Sequence, residues 1–385
     1  MNYKPRYYQE KASDIGAEHL LDKRKKYNYL ISLPTGSGKS IVISEIAKKL
    51  DKPLIVFQPN KEILEQNFKK YALYDPFNAR IFSASAREKN IGKITFATIG
   101  SVYKKPFLFQ DFKYAIIDEC DLVNPEEGMY KEFFDNTKLK MIGLTATPYR
   151  RYSNSLGTEM RFITRTRTKV FKDLIYYINP KELVKQGYLI SPQYTSIKGF
   201  DSSHLKVNTT GNAYTDQSIQ EYFDKIHFDS KLEKVIQRCI DKRDNFLVFN
   251  QFVKESLYLE KRFPDHVKHV SSKTKRTDRD KIIIAFRKNK VKGIANVGVL
   301  GVGFDYPELV TLIVARPIKS LRIWYQMVGR ILRPLPDGKP KDAHVIDLCD
   351  NYRVFGKVEN LEIDKDHKGK WAVFNGRKQL TNIYI

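Results

Sequence analysis

One stretch of eight residues constrains the fold of this chain more than any other part of its sequence. Residues 33–40 read Leu-Pro-Thr-Gly-Ser-Gly-Lys-Ser. The residues at 29–32 have the apolar pattern of a short buried strand, and those at 41–47 suit a buried helix. A strand, a glycine turn and a helix in this order form a cradle for phosphate, because backbone N–H groups and the positive end of the helix dipole point at the anion.

The side chains of this phosphate loop (residues 33–40) suit a nucleotide and a magnesium ion. Gly36 and Gly38 let the backbone approach an anion closely. Lys39 places a positive charge on the outer phosphates, and Ser40 offers a hydroxyl to Mg²⁺. Leu33 stands where the first glycine of the pattern is usual, so a chance glycine turn is the alternative. The loop residues predicted to contact the nucleotide are Pro34, Thr35, Gly36, Ser37, Gly38, Lys39 and Ser40.

Short apolar runs alternate with helical patterns along the first 150 residues. After the run that precedes the phosphate loop, further runs occupy residues 54–57, 94–98, 114–117 and 141–144. This alternation predicts an α/β fold with a parallel sheet covered by helices on both faces. Ligands of such sheets bind beyond the carboxyl ends of the strands, and the polar clusters of this chain follow those ends.

The same alternation returns in the second half of the chain. Strand patterns at residues 245–249, 292–297, 310–314 and 343–346 predict a second α/β domain without a phosphate loop of its own. The stretch between the two halves is basic and rich in Ser and Thr, which predicts a strand-poor connector with a helix at 180–185. The predicted organisation is domain 1 at 1–165, a connector at 166–225, domain 2 at 226–350 and a short C-terminal appendage at 351–385.

The charge of the chain points to a polyanionic partner. It has 68 Lys and Arg residues against 44 Asp and Glu, which gives a formal net charge of +24. Nucleic acid is the commonest polyanion that proteins bind. The alternatives are that the charge only keeps the protein soluble, or that it reflects a lysine-rich proteome.

Several classes of protein are disfavoured by the sequence. The three cysteines, Cys120, Cys239 and Cys349, form no Cys-x-x-Cys pair, which argues against a zinc knuckle and a disulfide framework. No apolar run approaches the roughly 20 residues that span a bilayer. The first residues lack the apolar core of a signal peptide, so we expect a cytoplasmic protein of a bacterium or a phage-infected host, with no membrane partner.

Two acidic residues directly follow the apolar run at 114–117. Asp118 and Glu119 begin an acidic tetrad about 80 residues after the phosphate loop. At the end of a strand, one carboxylate can hold the Mg²⁺ that bridges the outer phosphates, and a second can accept the proton of the attacking water. The pattern assigns Asp118 to the metal and Glu119 to the water. A plain acidic turn is the alternative, and the presence of Lys39 weakens it.

These features, with further motifs in the same order, resemble those of superfamily-2 helicases. The matching stretches after the phosphate loop are Asp118–Asp121 (motif II), Thr145–Pro148 (motif III), Leu300–Asp305 (motif V) and Gln326–Arg333 (motif VI), with Arg6–Gln9 similar to an adenine-reading motif. Gly301 stands where a Thr or Ser is common in motif V. Within the superfamily, 185–189 and 316–320 resemble the group that contains bacterial RadD, phage UvsW and XPB-type translocases.

The resemblance implies two RecA-like domains with ATP in the cleft between them. Arg330 and Arg333 would then reach across the cleft to the transferring phosphoryl group, where arginine fingers are worth roughly 10³–10⁵ in rate. Gln326 would sense the γ-phosphate. Arg6 and Gln9 would stack on adenine and hydrogen-bond to it. Hydrolysis would then require closure of the cleft, and closure would move the nucleic-acid-binding surfaces of the two domains relative to each other.

Further residues receive roles from the resemblance. Gly303 and Asp305 would bind the nucleotide, with Asp305 at the ribose or the water network. Thr145 and Thr147 would couple the nucleotide site to the nucleic-acid site. The residues placed near the nucleic-acid backbone are Pro59, Asn60, Thr98, Ser101, Ser271 and Lys273. The basic stretch at 150–169 is interpreted either as a phosphate-binding or base-stacking segment or as a solvated linker.

The predicted function is an ATP-dependent DNA helicase or translocase, of phage type, that acts on branched or duplex DNA in recombination, repair or replication. We expect a monomer with replication or recombination proteins as partners. One alternative is an RNA helicase with the same motor, since RNA selection needs a 2′-OH contact that the sequence does not reveal. Another is a motor subunit of a nuclease or restriction complex. A catalytically silent nucleic-acid binder is disfavoured by the intact motifs.

Overall fold

The structure of the protein is a computed structural model. It describes residues 4–154, 157–209, 211, 213–243, 245–301, 304 and 306–383. Within these ranges, no helix is long and apolar enough to cross a membrane. The predicted nucleotide contacts Gly303 and Asp305 lie outside the described residues.

The helices and strands follow one another in frequent alternation. The α-helices are α1 (Tyr7–Leu21), α2 (Lys39–Leu50), α3 (Lys61–Ala72), α4 (Ile99–Val102), α5 (Met129–Asp135), α6 (Pro180–Lys185), α7 (Asp216–Lys225), α8 (Phe228–Lys242), α9 (Val253–Arg262), α10 (Arg276–Arg287), α11 (Leu321–Val328) and α12 (Asn351–Phe355). Short 3-10 helices cover Pro106–Phe109, Cys120–Leu122, Ile163–Arg165, Ser202–His204 and Val358–Asn360.

The strands form two large sheets, a small sheet and a hairpin. They are β1 (Tyr29–Ser32), β2 (Leu54–Gln58), β3 (Ala79–Ser83), β4 (Glu88–Lys89), β5 (Ile94–Thr98), β6 (Tyr114–Asp118), β7 (Lys140–Thr145), β8 (Tyr149–Asn154), β9 (Gly157–Phe162), β10 (Asp173–Tyr177), β11 (Gln193–Ser196), β12 (Phe246–Asn250), β13 (Val267–Ser271), β14 (Gly293–Val297), β15 (Thr311–Ala315), β16 (His344–Asp347), β17 (Leu361–Lys365), β18 (Trp371–Asn375) and β19 (Lys378–Gln379).

The first sheet has the strand order β10-β1-β7-β6-β2-β5-β3-β4. Its strands pair in parallel except for β4, which runs antiparallel to β3. All five residues of the central strand β2 are buried, as expected for a parallel sheet covered on both faces. Each Leu, Ile, Val or Phe side chain buried there contributes about 1.5–3 kcal/mol to the stability of the fold.

The second sheet has the order β11-β16-β15-β12-β14-β13, and all of its pairings are parallel. Strand β12, near its centre, is also buried at every residue. The predicted α/β class with two parallel-sheet, RecA-like domains is therefore confirmed. The three-stranded antiparallel sheet of β17, β18 and β19 lies within the predicted C-terminal appendage.

The predicted connector at 166–225 differs from the structure. Rather than being strand-poor, it contributes β10 to one edge of the first sheet and β11 to one edge of the second. The first sheet therefore extends to Tyr177, beyond the predicted limit at 165, and the second begins at Gln193, before 226. Both are edge strands, and only one residue of β10 and none of β11 is fully buried, so neither shows the continuous apolar run that marks a central strand.

Candidate active site

The phosphate loop joins the end of β1 to the start of α2. Gly36 and Gly38 have φ values of +87° and +86°, a left-handed conformation that glycine adopts without strain. A Cβ atom added to Gly38 would lie 2.5 Å from Nε2 of Gln9, so the backbone passes close to that side chain. Helix α2 begins at Lys39 without a side-chain cap, which leaves its first N–H groups available to an anion.

The back of the phosphate loop is held by α1. Tyr8 Oη and Gln9 Nε2 both donate to the carbonyl oxygen of Ser37, each at 2.7 Å. Oε1 of Gln9 accepts from the backbone N–H of Arg6 at 2.9 Å, and Ser37 Oγ donates to Pro34 O at 2.6 Å. Three of the predicted nucleotide contacts, Gln9, Ser37 and Pro34, therefore lie behind the loop rather than on the wall of the cavity in front of it.

A cavity of about 600 Å³ lies in front of the loop, between the two large sheets. Its walls include ten of the residues predicted for catalysis or nucleotide binding, drawn from both halves of the chain. These are Arg6, Thr35, Gly36, Gly38, Lys39, Ser40, Asp118, Glu119, Arg330 and Arg333. The fold thus brings motifs more than 300 residues apart in sequence to one site.

The two acids are close to the loop lysine. Lys39 Nζ lies 3.4 Å from Glu119 Oε1, and both side chains are largely buried. Burial raises the pKa of Asp118, the nearby charge of Glu119 raises it further, and Lys39 opposes the rise. Glu119 has a φ of +50°, and its Oε2 is buried with no hydrogen-bond partner among the described residues. A buried carboxylate oxygen without a partner has the capacity to accept a proton from a water in the cavity.

The corner formed by Ser40 and Asp118 suits a divalent cation. A hydroxyl and a carboxylate are the oxygen ligands that Mg²⁺ prefers when it accompanies phosphates. Lys70 Nζ donates to Ser40 Oγ at 2.8 Å, so the corner already attracts a positive charge. Asn67 Nδ2 donates to Asp118 Oδ2 at 3.2 Å and orients that carboxylate. Burial lowers the pKa of Lys70 to about 8, with Arg333 adding to the effect.

Arginines from the second half of the chain complete the cavity. Desolvation of the half-buried Arg330 lowers its pKa to about 10, and its guanidinium donates to Phe304 O at 3.0 Å and Gln326 O at 3.2 Å. Arg333 packs against the phosphate loop, since a Cβ atom on Gly36 would lie 3.3 Å from its Cγ. Gln326 is buried on α11, one helical turn before Arg330, and does not line the cavity.

A buried polar link connects the two halves beside the site. Thr145 Oγ1 donates to Asp121 Oδ1 at 2.6 Å, and the backbone N–H of Thr147 donates to Thr145 Oγ1 at 3.0 Å. The other carboxylate oxygen of Asp121 accepts from Nε of Arg322, which lies on α11. Burial raises the pKa of Asp121, and the charge of Arg322 opposes the rise. We call Thr145, Asp121 and Arg322 the interdomain link.

Three residues of the site were missed by the sequence analysis. Tyr188 lines the cavity, and the guanidinium carbon of Arg6 lies 4.4 Å from the centre of its ring. Lys70 contacts Ser40, as described above. Lys341 Nζ donates to three backbone carbonyls, those of Pro307, Ile331 and Arg333, at 2.7 to 2.9 Å. Tyr188 lies in the stretch 185–189 that resembles the subgroup, but nothing in that stretch, or around Lys70 and Lys341, indicates a place in the site. Only the folded chain brings these residues to the cavity or to the loop that carries Arg333.

The residues predicted to contact nucleic acid are spread over the carboxyl ends of several strands. Thr98 and Ser101 lie together, with 2.9 Å between their hydroxyl oxygens. Asn60 follows Pro59 and caps α3, since its Oδ1 accepts from the backbone N–H of Ile63 at 3.0 Å. The structure therefore gives Asn60 a local structural role that the sequence analysis did not include.

Two of the predicted contacts come from the second half of the chain. Ser271 is buried, and its hydroxyl lies 3.0 Å from His269 Nε2. Lys273, two residues later, is exposed. The lysine is thus available to a phosphate at this strand end, whereas the serine hydroxyl is turned into the protein.

The basic stretch at 150–169 forms the hairpin of β8 and β9 and the turn after it. Tyr149 and Phe162 are buried in the core, so neither ring is available to stack on a base. Tyr152 is exposed, but the guanidinium carbon of Arg161 lies 3.8 Å from the centre of its ring. The structure thus removes two of the three aromatic residues from the stacking interpretation.

Two family models match the chain. Residues 2–150 match the model described as "Type III restriction enzyme, res subunit", and residues 230–334 match "Helicase conserved C-terminal domain". Together these ranges contain the phosphate loop, the acids and the arginines of the cavity.

Curated proteins that are similar to most of this chain include two from phages. A 51.5 kDa protein of a Lactococcus phage (isolate 7-9) is 26% identical over 91% of this chain and 72% of its own length. The DNA 3'-5' translocase XPB2 of Sulfurisphaera tokodaii is 24% identical over 87% of this chain and 80% of its own. The ATP-dependent DNA helicase uvsW of Enterobacteria phage T4 is 23% identical over 93% and 71% respectively.

Solved structures share the fold. The ATP-dependent Type ISP restriction-modification enzyme LlaBIII bound to DNA matches with a TM-score of 0.66 at 15% identity, over 90% of this chain and 28% of that enzyme. The chain therefore spans less than a third of that structure. Dbp5 of S. cerevisiae bound to RNA and ADP BeF3 matches with a TM-score of 0.60 at 16% identity, over 92% of this chain and 88% of that protein.

Proposed function

This chain belongs to the superfamily-2 helicases and translocases, as its motifs predict, and we propose that it is an ATP-dependent DNA translocase acting on branched or duplex DNA. Members of this superfamily are nucleic-acid-dependent ATPases. The observation that carries the proposal is the composition of the cavity. Its phosphate loop and acids come from one sheet, and Arg330 and Arg333 come from beside the other.

The residues of the first domain would bind the nucleotide and prepare the water. Lys39 and the N–H groups at the start of α2 would bind the phosphates, and Ser40 and Asp118 would hold Mg²⁺. When bound, the metal supplies charge neutralisation on the outer phosphates. Glu119 would take the proton of the attacking water at its free Oε2.

The residues of the second domain would complete the site only when the cleft is closed. Arg330 and Arg333 stabilise charge that develops on the phosphoryl group. Arg330 is fixed by two backbone carbonyls, so it moves only with its domain. The interdomain link is the contact through which such a movement would reach motif III. Cleft closure would in this way change the position of the strand ends that carry the predicted nucleic-acid contacts Thr98 and Ser101.

A change at Lys39 tests the nucleotide cradle. Lys39→Ala removes the cation that faces the phosphates, so we expect at least ~100-fold weaker ATP binding, since a charge-assisted contact in a largely buried site is worth about 3 kcal/mol. Binding of a fluorescent ATP analogue, followed by titration, measures the change. Lys48→Ala, on the last turn of the same helix, serves as the control. Wild-type affinity in the Lys39 variant would remove the cradle assignment.

A change at Arg322 tests the interdomain link. Arg322→Ala leaves Asp121 with Thr145 alone and removes the contact between the domains, so we expect nucleic acid to stimulate the ATPase at least ~10-fold less, as is typical of a coupling between sites, with ATP affinity unchanged. Leaving a buried carboxylate without its partner also costs about 3–5 kcal/mol of stability. Arg322→Ala combined with Asp121→Asn removes the unpaired charge. The double variant should regain thermal stability but not stimulation. Full stimulation in either variant would show that the link does not couple the domains.

The proposed function predicts that DNA, rather than RNA, stimulates ATP hydrolysis. Steady-state ATPase rates should be measured with single-stranded DNA, duplex DNA, a four-way junction and single-stranded RNA, at two salt concentrations. We expect the junction or the duplex to stimulate most, and the stimulation to fall steeply with salt because phosphate contacts release counterions. Similarity to a phage DNA helicase and to a DNA translocase supports DNA. Strongest stimulation by RNA would favour an RNA helicase instead.

A second candidate function is the motor of a nuclease complex. It is favoured by the match of residues 2–150 to a restriction-enzyme subunit model. In that case the isolated chain should show little ATPase activity with any polymer and gain it with a partner. Independent stimulation of the purified chain by DNA would exclude this candidate.

A further inference from the structure

A second basic cavity lies on the first domain, away from the nucleotide. It has a volume of about 360 Å³ and lies between residues 164–173 and the turn that joins β17 to β18. Five cationic side chains surround one indole ring in it. We call these residues the basic pocket: Arg165, Lys169, Lys172, Lys365, Lys370 and Trp371.

The position of the basic pocket excludes a role in nucleotide binding. Strand β1 begins at Tyr29, which is in register with Asp173 of β10, and it ends at Ser32 beside the phosphate loop. Lys172 and Asp173 therefore lie at the amino end of the strands, whereas the nucleotide cavity lies at their carboxyl ends. The two cavities therefore lie at opposite ends of the strands of the first sheet.

The charge in the basic pocket is poorly neutralised by the protein. Asp366 pairs with Arg165 at 2.8 Å. Asp173 accepts a hydrogen bond from the indole N–H of Trp371 at 2.6 Å. Within the described part of the chain, the four lysines of the pocket form no ion pair with a carboxylate. Four exposed ammonium groups around one cavity repel one another, and a polyanion relieves that repulsion.

The aromatic ring is fixed in place. The hydrogen bond to Asp173 orients Trp371, and Tyr177 packs edge-on against it with 5.5 Å between ring centres. Lys365 Nζ lies 5.4 Å from the ring centre. An anchored indole flanked by lysines is the composition of sites that bind nucleic acid through phosphates and stacking.

The basic surface continues beyond the cavity. Lys172 Nζ lies 3.7 Å from the ring centre of Tyr27, which belongs to the loop before β1. The same loop contains Lys23, Arg24 and Lys26, all exposed, of which Arg24 pairs with Asp22 at 3.1 Å. Residues from the start, the middle and the end of the chain therefore meet in one positive strip along this edge of the sheet.

We propose that the basic pocket is a second binding site for the backbone of DNA, one that holds a strand or duplex arm outside the cleft between the two domains. Such a site would keep another arm of a branched substrate bound while the motor moves along the first. The proposal rests on the proposed function only for the class of polymer, because the cavity itself is independent of the nucleotide site.

The test compares two triple variants with the same change of charge. Lys172→Gln, Lys365→Gln and Lys370→Gln alter the basic pocket, and Lys225→Gln, Lys234→Gln and Lys242→Gln alter exposed positions on α7 and α8. Affinity for a labelled four-way junction is measured without ATP over a range of salt. We expect the pocket variant to bind at least ~10-fold more weakly and to lose about 2 to 3 from the slope of log affinity against log salt. Equal losses in the two variants would overturn the proposal.

Tryptophan fluorescence gives a second, local readout. The chain has two tryptophans, and Trp324 is completely buried, so only Trp371 can contact a ligand. Junction DNA should change the emission of the parent protein, and the change should be absent in Trp371→Phe. No change with DNA, or a change only with phosphatidylserine vesicles, would overturn the proposal.

These results separate the proposal from the proposed function. The pocket variant should keep the ATPase rate of the parent at saturating DNA, because the pocket is remote from the nucleotide cavity. If DNA stimulates the parent ATPase, but the pocket variant binds the junction normally and DNA leaves the Trp371 emission unchanged, only the pocket proposal is rejected. If the pocket variant loses junction affinity, but DNA does not stimulate the ATPase of the parent, only the proposed motor function is rejected.

Discussion

Replacing Glu119 with glutamine is expected to stop ATP turnover while leaving ATP binding intact. The amide has the shape of the carboxylate but does not accept a proton from water. General-base catalysis contributes about 10²–10⁴ in rate, so we expect a loss of that size in single-turnover hydrolysis. Glu119 also raises the pKa of Asp118, so removing its charge favours the ionised form of Asp118 that would hold the metal. ATP binding should therefore not weaken.

The control for this prediction is Glu126→Gln, an exposed acid on the loop between β6 and α5. Both variants should bind a fluorescent ATP analogue like the parent, and only the Glu119 variant should fail to release phosphate. Phosphate release near the parent rate in Glu119→Gln would show that another group activates the water. Weak binding instead would indicate that the ion pair with Lys39 shapes the phosphate loop.

The parts of the site that sequence could predict are those written as continuous motifs. The phosphate loop, Asp118 and Glu119 lie at strand ends, and the strands themselves are continuous apolar runs. Their position in a parallel sheet follows from the pattern alone, since the carboxyl ends of parallel strands share one edge. The structure brings Lys39 and both acids to the cavity predicted for them, although their roles in catalysis stay predictions.

The parts that sequence could not predict depend on contacts between distant segments. Lys70 is one of several lysines on α3, and only the packing of that helix against α2 brings its ammonium to Ser40. Tyr188 reaches the cavity because β10 joins β1 and returns the chain toward α1. Arg322 lies outside the motifs of the sequence, and its acceptor, Asp121, lies 201 residues earlier. Such pairs leave no local pattern.

Motif membership also does not reveal which way a side chain points. Gln9 belongs to the adenine-reading motif, yet its amide is used at both ends by the backbone of the phosphate loop and of α1. Similarly, a net charge of +24 does not show where on the surface the charged side chains lie. Folding collects four lysines at the edge of the sheet away from the nucleotide, while other cations on α10 pair with acids of α3.

Removing the Arg333 guanidinium is expected to reduce ATP turnover by roughly 10³–10⁵-fold with little change in ATP affinity. Arg333 enters the cavity from the second domain and packs against Gly36 of the phosphate loop. Its backbone carbonyl is held by Lys341, so the guanidinium is delivered by a fixed segment. Charge on the phosphoryl group grows only in the transition state, which is why the loss should fall on turnover rather than on binding.

Three variants separate this role from a structural one. Arg333→Ala should lose turnover, Arg333→Lys should recover only a small part of it because an ammonium lacks the planar fork, and Arg238→Ala, exposed on α8, should behave like the parent. Rates are measured at saturating ATP and DNA. Retained turnover in Arg333→Ala would leave Arg330, the other second-domain arginine described in the cavity wall, as the candidate for that role. Because Arg330 is already held by two carbonyls, hydrolysis would then depend on the position of the whole second domain and not on one mobile side chain.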